Sequence, residues 1–291
     1  MAALGLSVGS LCSGYGGLEL GLSKVLDTNL KWFSEIDDNA AKVMDYRFNK
    51  NNLGDLTEIT EPEEVDIVTA GFPCQPFSYA GYRKGIEDER YLIDDICRVA
   101  VEAKAEWLIL ENVKGILTAN NGEALARVAE AMALSGFTRW EWTVIGADKF
   151  GACHRRERWF CVATNSDSSS GKELNFRNGE GNRKETGLDR SVADDSKRFS
   201  FLGSAFERYK PAIRRWEKVS GRRAPEPYTD YRLNIRFVEW MMGLPEGWVS
   251  DSSLDLKRTA TLELLGNGVV PQQASGAIRY LFKHLLNGRE L

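Results

Sequence analysis

The hydrophobic and polar positions of the chain follow two periodicities, one typical of buried strands and one typical of helices. Short apolar runs rich in β-branched and aromatic residues predict strands at 6–11, 30–35, 65–70, 107–110, 140–145 and 158–164. Apolar residues at helical spacing predict helices at 18–26, 91–105, 123–134, 204–219, 234–242 and, after a glycine-containing turn over 264–271, up to residue 285. Strands that alternate with helices predict an α/β, Rossmann-like fold.

Residues 166–196 interrupt this alternation, because they are polar, rich in Gly, Ser, Asn and Asp, and too poor in apolar groups to form a core. The amphipathic helix that follows is predicted to begin at Ser204 and to be kinked or interrupted at Pro211. We therefore predict a large domain over 1–165, completed by 260–291, and a small region over 166–259.

The charge is distributed unevenly between these parts. The whole chain has a net charge of -4. Residues 166–234 contain 15 Lys and Arg against 11 Asp and Glu, which leaves -8 for the rest. A basic segment on an acidic body favours a polyanion that docks on one face. Within it, Arg214, Arg215, Arg222 and Arg223 beside Tyr209 and Trp216 suit phosphate contact and base stacking.

Composition excludes several other classes of protein. A hydrophobic content of 43% in 291 residues is enough for a substantial core. No apolar run reaches the roughly 20 residues that a membrane helix needs, and no secretory signal is seen, so we expect a cytoplasmic protein without membrane contact. Five widely spaced cysteines and two histidines predict neither a disulfide framework nor a metal site.

The stretch 71–78, Gly-Phe-Pro-Cys-Gln-Pro-Phe-Ser, directly follows the predicted strand at 65–70. Open α/β sheets place their chemistry where strands end in such loops. Pro73 and Pro76 bracket Cys74 and keep it out of a helix or a central strand. Cys74 is therefore a candidate nucleophile, although a buried apolar cysteine beside a turn has the same local pattern.

A glycine-rich turn connects the first strand to the first helix. A turn of this kind lets a nucleotide-like cofactor approach the backbone, but a tight turn without a ligand is the alternative. Glu35, about 18 residues later, is placed to accept hydrogen bonds from ribose hydroxyls. Asp55 could contact an adenine amino group or cap the turn that follows it. The turn consists of Ser13, Gly14, Tyr15, Gly16 and Gly17.

Two further sets of charged residues follow apolar strands. Glu111 ends the strand at 107–110 and is either a catalytic acid or a partner of a helix N-terminus. The segment 154–158, His-Arg-Arg-Glu-Arg, precedes the strand at 158–164. Its arginines are either solvated or face a phosphate, a carboxylate or a base carbonyl.

Taken in order, these motifs resemble those of the DNA (cytosine-5) methyltransferase family, over nearly the whole chain apart from 166–230. The motifs that carry the resemblance are 13–17, Glu35, Gly54-Asp55, 71–78, Glu111-Asn112-Val113, Arg156-x-Arg158 and 266–270. The resemblance implies methyl transfer from S-adenosyl-L-methionine to carbon 5 of a cytosine flipped out of double-stranded DNA. We also expect a monomer, and a possible cognate restriction endonuclease that acts separately.

The resemblance assigns a role to each matching residue. Cys74 would add to carbon 6 of the cytosine, Glu111 would protonate ring nitrogen 3, and Arg158 with Arg156 would bind the base carbonyl oxygen. Cofactor contacts would come from Ser13, Gly14, Tyr15, Gly16, Gly17, Glu35, Ile36, Asp55, Leu56, Pro73, Asn267, Gly268 and Val269. DNA contacts would come from Gln75, Ser78, Arg214, Arg215, Arg222 and Arg223.

Two positions depart from the family's pattern. Cys12 stands where a phenylalanine commonly packs on the adenine, and we expect Trp32 or Tyr15 to compensate. His154 replaces a glutamine, and we favour a structural role over proton transfer. Two rival functions also remain open at this point: a transfer RNA cytosine-5 methyltransferase with the same site, and a catalytically silent nucleic-acid-binding module.

Overall fold

The computed structural model describes residues 5–73, 92–165, 174–177 and 208–286. Within these ranges, one central sheet contains seven strands. They are β1 (Leu6–Leu11), β2 (Thr28–Ser34), β3 (Asn51–Asn52), β4 (Ile67–Gly71), β5 (Trp107–Val113), β6 (Arg139–Gly146) and β7 (Glu157–Thr164). A separate hairpin consists of β8 (Tyr228–Thr229) and β9 (Arg232–Leu233).

The strand order of the sheet is β3-β2-β1-β4-β5-β7-β6. Strands β1 to β5 run parallel to one another, whereas β7 is antiparallel to both β5 and β6. The carboxyl ends of β1, β2, β4 and β5 therefore share one edge of the sheet with the amino end of β7. The order reverses between β1 and β4, and a crevice at such a point is where open α/β sheets bind ligands. The predicted Rossmann-like α/β fold is confirmed.

Helices cover both faces of this sheet. They are α1 (Gly17–Ser23), α2 (Asp38–Phe48), α3 (Leu92–Glu102), α4 (Glu123–Leu134), α5 (Lys210–Ser220), α6 (Ile235–Met241), α7 (Arg258–Asn267) and α8 (Pro271–Leu286). Helix α4 has the bounds that its apolar pattern predicts. Helix α6 begins after Asn234, whose side-chain oxygen accepts a hydrogen bond from the backbone of Arg236.

Two predictions about helices were wrong. Pro211 does not kink a helix but lies in the first turn of α5, where the missing proline N–H would have no partner inside the helix anyway. Residues 264–267 are not a turn, because they form the last part of α7. Gly266 is tolerated within that helix, and the chain leaves it only at Gly268, where the backbone is extended. The proposed N-cap Ser204 lies outside the described residues.

The two ends of the described chain meet in the core. Helix α8 packs on α1, β6 and β7, and the Phe282 ring lies 4.9 Å from the Trp107 ring. Trp216 and Trp240 are buried in a cluster that also contains Tyr15, so the region after 208 shares a core with the glycine turn. The domain boundary at 165 stays a prediction. None of the helices in the described ranges has the length and apolar character needed to cross a membrane.

Candidate active site

A cavity of about 970 Å³ opens at the shared edge of the sheet. Its walls come from the ends of β1, β2, β4 and β5, the start of β7 and the turn between α7 and α8. This volume is within the range of cavities that hold cofactors of nucleoside size. The cavity brings together residues from the glycine turn with Glu35, Ile36, Glu111 and Arg158.

The glycine turn is held in place by its own backbone and by β2. The backbone N–H of Gly16 donates to the carbonyl of Ser13 over 2.9 Å, and that of Gly14 donates to Oε2 of Glu35 over 2.8 Å. Gly14 has a φ of 55°, and nothing lies within 4 Å of the place where a Cβ would point. The predicted ribose acceptor Glu35 therefore also anchors the turn that approaches the cofactor.

The turn over 267–269 packs directly on the glycine turn. A Cβ on Gly268 would lie 1.9 Å from the Tyr15 ring, and one on Gly17 would lie 2.3 Å from the carbonyl oxygen of Val269. The Tyr15 hydroxyl donates to that same oxygen over 2.8 Å. The side chain of Tyr15 is thus buried between the two turns, so it does not replace a stacking phenylalanine.

Trp32 does not compensate for Cys12 either, because its ring packs against Gly9 in the core and its Nε1 donates to the carbonyl of Glu63. The apolar residues at this end of the cavity are Ile36, which is 74% exposed, and Leu56. Asp55 accepts hydrogen bonds from the backbone and hydroxyl of Thr57, which is the capping role left open by the sequence.

Glu111 and Arg158 lie side by side at the opposite end of the cavity. Nε of Arg158 is 3.1 Å from Oε1 of Glu111, and the N–H is not aligned with that oxygen, so the contact is an ion pair. Burial raises the pKa of Glu111 to about 7, against the lowering effect of the positive charges of Arg158 and Arg156. A carboxyl group with such a pKa can hold and donate a proton near neutral pH.

The cysteine motif starts beside this carboxyl group. Gly71 pairs with Glu111 across β4 and β5, and a Cβ on Gly71 would lie 3.6 Å from Oε2 of Glu111. Nδ2 of Asn112 donates to the carbonyl of Phe72 over 3.0 Å, and Pro73 lines the cavity. Cys74, Gln75 and Ser78 lie outside the described residues.

Arg156 does not line the cavity, and one of its nitrogens binds the turn between α7 and α8. Its Nη2 donates to the carbonyls of Gly266 and Gly268 over 2.8 and 2.5 Å. These bonds give Arg156 a structural role, since they hold the turn that carries Asn267. Its role as a second ligand of the base carbonyl stays a prediction. Sequence spacing could not reveal the structural role, since the two acceptors are about 110 residues away.

We expect Arg156→Met to lower the free energy of unfolding by about 1–3 kcal/mol, because two carbonyls, of exposed Gly266 and half-buried Gly268, lose a charged donor. Affinity for S-adenosylhomocysteine should fall with it, since the turn over 267–269 loosens. Urea unfolding and calorimetric titration measure the two effects. The control is Arg155→Met, because the Arg155 side chain is 76% exposed and pairs with Glu157. A loss of kcat with unchanged stability and affinity would instead support Arg156 as a ligand of the base carbonyl.

His154 connects the arginine segment to the small region over 166–259. Its Nε2 donates to the carbonyl of Met241 over 2.9 Å, and burial lowers its pKa. A neutral imidazole that donates to a backbone carbonyl fits the structural role favoured by the sequence.

The basic helix α5 is only partly available for DNA. Arg215 donates to the carbonyls of Gly151 and Ala152, and Arg222 donates to the carbonyl of Leu244. Trp216 is fully buried and donates to the carbonyl of Trp240, so the expected stacking on its ring is wrong. Arg214, Arg215 and Arg223 are exposed and Arg222 is half-buried. All four stay predicted phosphate contacts.

One cavity residue, Glu19, was missed by sequence reasoning. It lies in α1, is only 6% exposed, and its Oε1 accepts hydrogen bonds from the hydroxyls of Ser10 and Thr69. The other carboxylate oxygen, Oε2, is buried and has no hydrogen-bond partner. An acidic residue among the apolar positions of the first helix, two residues after Gly17, was the available signal.

The comparisons with known proteins agree on one family. Residues 6–210 match the family described as C-5 cytosine-specific DNA methylase. The type II methyltransferase M2.BsuMI of Bacillus subtilis (strain 168) is 31% identical over 288 residues, which cover 91% of this chain and 72% of that protein. The orphan methyltransferase M.SPRI of Bacillus phage SPR is 33% identical over 209 residues, covering 69% of this chain and 47% of the relative.

Solved structures share the fold at lower identity. The Dnmt2 methyltransferase of S. pombe aligns with a TM-score of 0.62 at 17% identity, over 98% of this chain and 100% of that chain. A putative DNA modification methyltransferase encoded within an E. coli prophage aligns with a TM-score of 0.62 at 19% identity, over 97% and 99% of the two chains.

Proposed function

We propose a mechanism for this chain, which belongs to the C-5 cytosine-specific DNA methylase family and is thus a DNA (cytosine-5) methyltransferase that uses S-adenosyl-L-methionine. The target cytosine is flipped out of a DNA duplex, and Cys74 forms a transient covalent bond to its carbon 6. The observation that carries the proposal is the buried Glu111–Arg158 pair beside Gly71, the first residue of the cysteine motif.

The first step makes carbon 5 reactive. The Cys74 thiolate adds to carbon 6, and the electron pair of the 5,6 double bond moves toward carbon 5 and the ring. Glu111 donates its proton to ring nitrogen 3, which offsets the negative charge that the thiolate brings. Arg158 binds the base carbonyl oxygen and stabilises the same charge. Both residues face the cavity, and the raised pKa of Glu111 keeps its proton available near neutral pH.

The second step restores the aromatic ring. Bound S-adenosyl-L-methionine supplies the electrophilic methyl group that carbon 5 takes. A base then removes the proton from carbon 5, and the electron pair of that C–H bond re-forms the double bond as the Cys74 sulfur leaves. Glu111 recovers the proton from ring nitrogen 3. Each proton and electron pair that entered the ring has then been returned.

The cavity fits the two ends of the cofactor. The adenosine end would lie between Ile36 and Leu56, where Glu35 can accept hydrogen bonds from the ribose hydroxyls. The glycine turn and the turn over 267–269 would hold the amino-acid end. Arg214 and Arg223 would contact phosphates and thereby position the duplex without reading its sequence. A monomer acts alone in this proposal, and a cognate restriction endonuclease would act on the same sites separately.

The experiment is covalent trapping on duplex DNA. A duplex with 5-fluorocytosine at every candidate site cannot lose its substituent from carbon 5, so the adduct with the protein should accumulate when S-adenosyl-L-methionine is present. Denaturing gel electrophoresis detects it. Parallel methyl-transfer assays on duplex DNA and transfer RNA test the substrate. Labelling of transfer RNA alone would favour the RNA rival, and the absence of any adduct and any transfer would favour a silent binding module.

A further inference from the structure

The buried carboxylate of Glu19, at the wall of the cofactor cavity, has hydrogen-bond donors on only one of its two oxygens. Its Oε1 receives two donors, the Ser10 hydroxyl at 2.8 Å and the Thr69 hydroxyl at 2.7 Å. Its Oε2 receives none, although that atom is buried. A buried carboxylate oxygen without a donor is costly, and buried charges are normally paired. The missing partner is therefore expected to be a donor, and preferably a cation.

The position of Glu19 limits what that partner can be. The Ser10 hydroxyl that contacts Glu19 also contacts the Ser13 hydroxyl over 2.7 Å, so the carboxylate lies directly behind the glycine turn. Glu19 lines the cavity together with Ser13, Gly17 and Asn267. Two arginines of this end of the sheet have other partners: Arg158, which lines the cavity, pairs with Glu111, and Arg156 binds the carbonyls of Gly266 and Gly268.

We propose that Glu19 is a cofactor-binding residue whose carboxylate receives the α-ammonium group of S-adenosyl-L-methionine. This inference rests on the proposed function, which places the adenosine end between Ile36 and Leu56 and the target base beside Glu111. The amino-acid end must then lie beside the glycine turn, and its ammonium group is the cation available there. Burial raises the pKa of Glu19. A bound cation would lower that pKa, because it stabilises the charged carboxylate.

Glu19→Gln separates charge pairing from structural support. The glutamine amide oxygen can still accept from Ser10 and Thr69, while its NH₂ group replaces the unpartnered oxygen and removes the charge. We expect the affinity for S-adenosylhomocysteine to fall about 10- to 100-fold, the range for a hydrogen bond to a charged group. Affinity for 5′-methylthioadenosine, which lacks the ammonium and carboxylate, should stay within about twofold. Isothermal titration measures both ligands.

Two controls keep the test decisive. Thr69→Val removes one donor to Oε1 without changing the charge at Oε2, so it should affect both ligands equally. Glu19→Asp keeps the charge but retracts the carboxylate by one methylene, and it should weaken S-adenosylhomocysteine selectively, which preserves the test if Glu19→Gln does not fold. Equal weakening of both ligands by Glu19→Gln, or no weakening, would overturn the assignment. If the wild-type protein bound no S-adenosylhomocysteine, the proposed function itself would fail.

Discussion

Glu111→Gln is expected to lower kcat about 10²- to 10⁴-fold, the usual contribution of a positioned general acid. The glutamine has nearly the same shape as the glutamate, so the packing around the buried side chain should be kept. It cannot transfer a proton to ring nitrogen 3, and it no longer pairs with the charge of Arg158, 3.1 Å away. Steady-state methylation of duplex DNA with labelled S-adenosyl-L-methionine measures the loss.

The pH dependence of the wild-type enzyme should reflect the loss of the proton from Glu111. The proposed step needs protonated Glu111, and burial raises its pKa to about 7. The fraction of active enzyme therefore falls as the pH rises above about 7, and kcat/KM should fall with it. Glu111→Gln has no proton to lose, so the residual activity of the variant should lack this decline.

A matched control distinguishes proton transfer from a general effect of removing an acid near the arginines. Glu157 precedes Arg158 and forms ion pairs with Lys114 and Arg155. Glu157→Gln should keep kcat within a few-fold and keep the decline above pH 7. If Glu111→Gln retained full activity, or if its rate still declined above pH 7, Glu111 would not be the proton donor.

The strands and the main helices could be predicted because their signal is local. Each buried strand is a short apolar run, and α4 shows its bounds in a single amphipathic stretch from Glu123 to Leu134. The position of Glu111 also followed from the sequence, since a residue at the end of a buried strand in a parallel sheet reaches the ligand edge. What stayed unpredictable were the partners of these residues.

Partner choice depends on contacts between distant parts of the chain. Arg156 and Arg215 are predicted from the sequence as substrate and DNA ligands, and each guanidinium also donates to backbone carbonyls of another segment. Trp216 has the spacing of an exposed stacking residue, yet it is buried because α5 packs against α6. Buried carbonyls need donors, and arginine supplies several at once, so folding can use arginines that composition alone assigns to nucleic acid.

Cys74→Ala is expected to abolish methylation, with a loss of at least about 10⁴-fold, because the variant has no nucleophile for carbon 6. The other four cysteines of the chain are poor substitutes. Burial raises the pKa of Cys12 and Cys97 to about 12 and that of Cys153 to about 11, and it also raises the pKa of Cys161. Few thiolates are therefore available from them near neutral pH.

The readouts for Cys74→Ala must separate chemistry from binding. The variant should keep its affinity for S-adenosylhomocysteine and for duplex DNA, while the adduct with 5-fluorocytosine DNA disappears from denaturing gels. Cys153→Ala is the matched control, since it also removes one thiol and should keep both the adduct and turnover. An adduct that survived in Cys74→Ala would assign the covalent step to another side chain. Turnover without an adduct would instead indicate methyl transfer without addition to carbon 6, a route in which carbon 5 of cytosine remains a poor nucleophile.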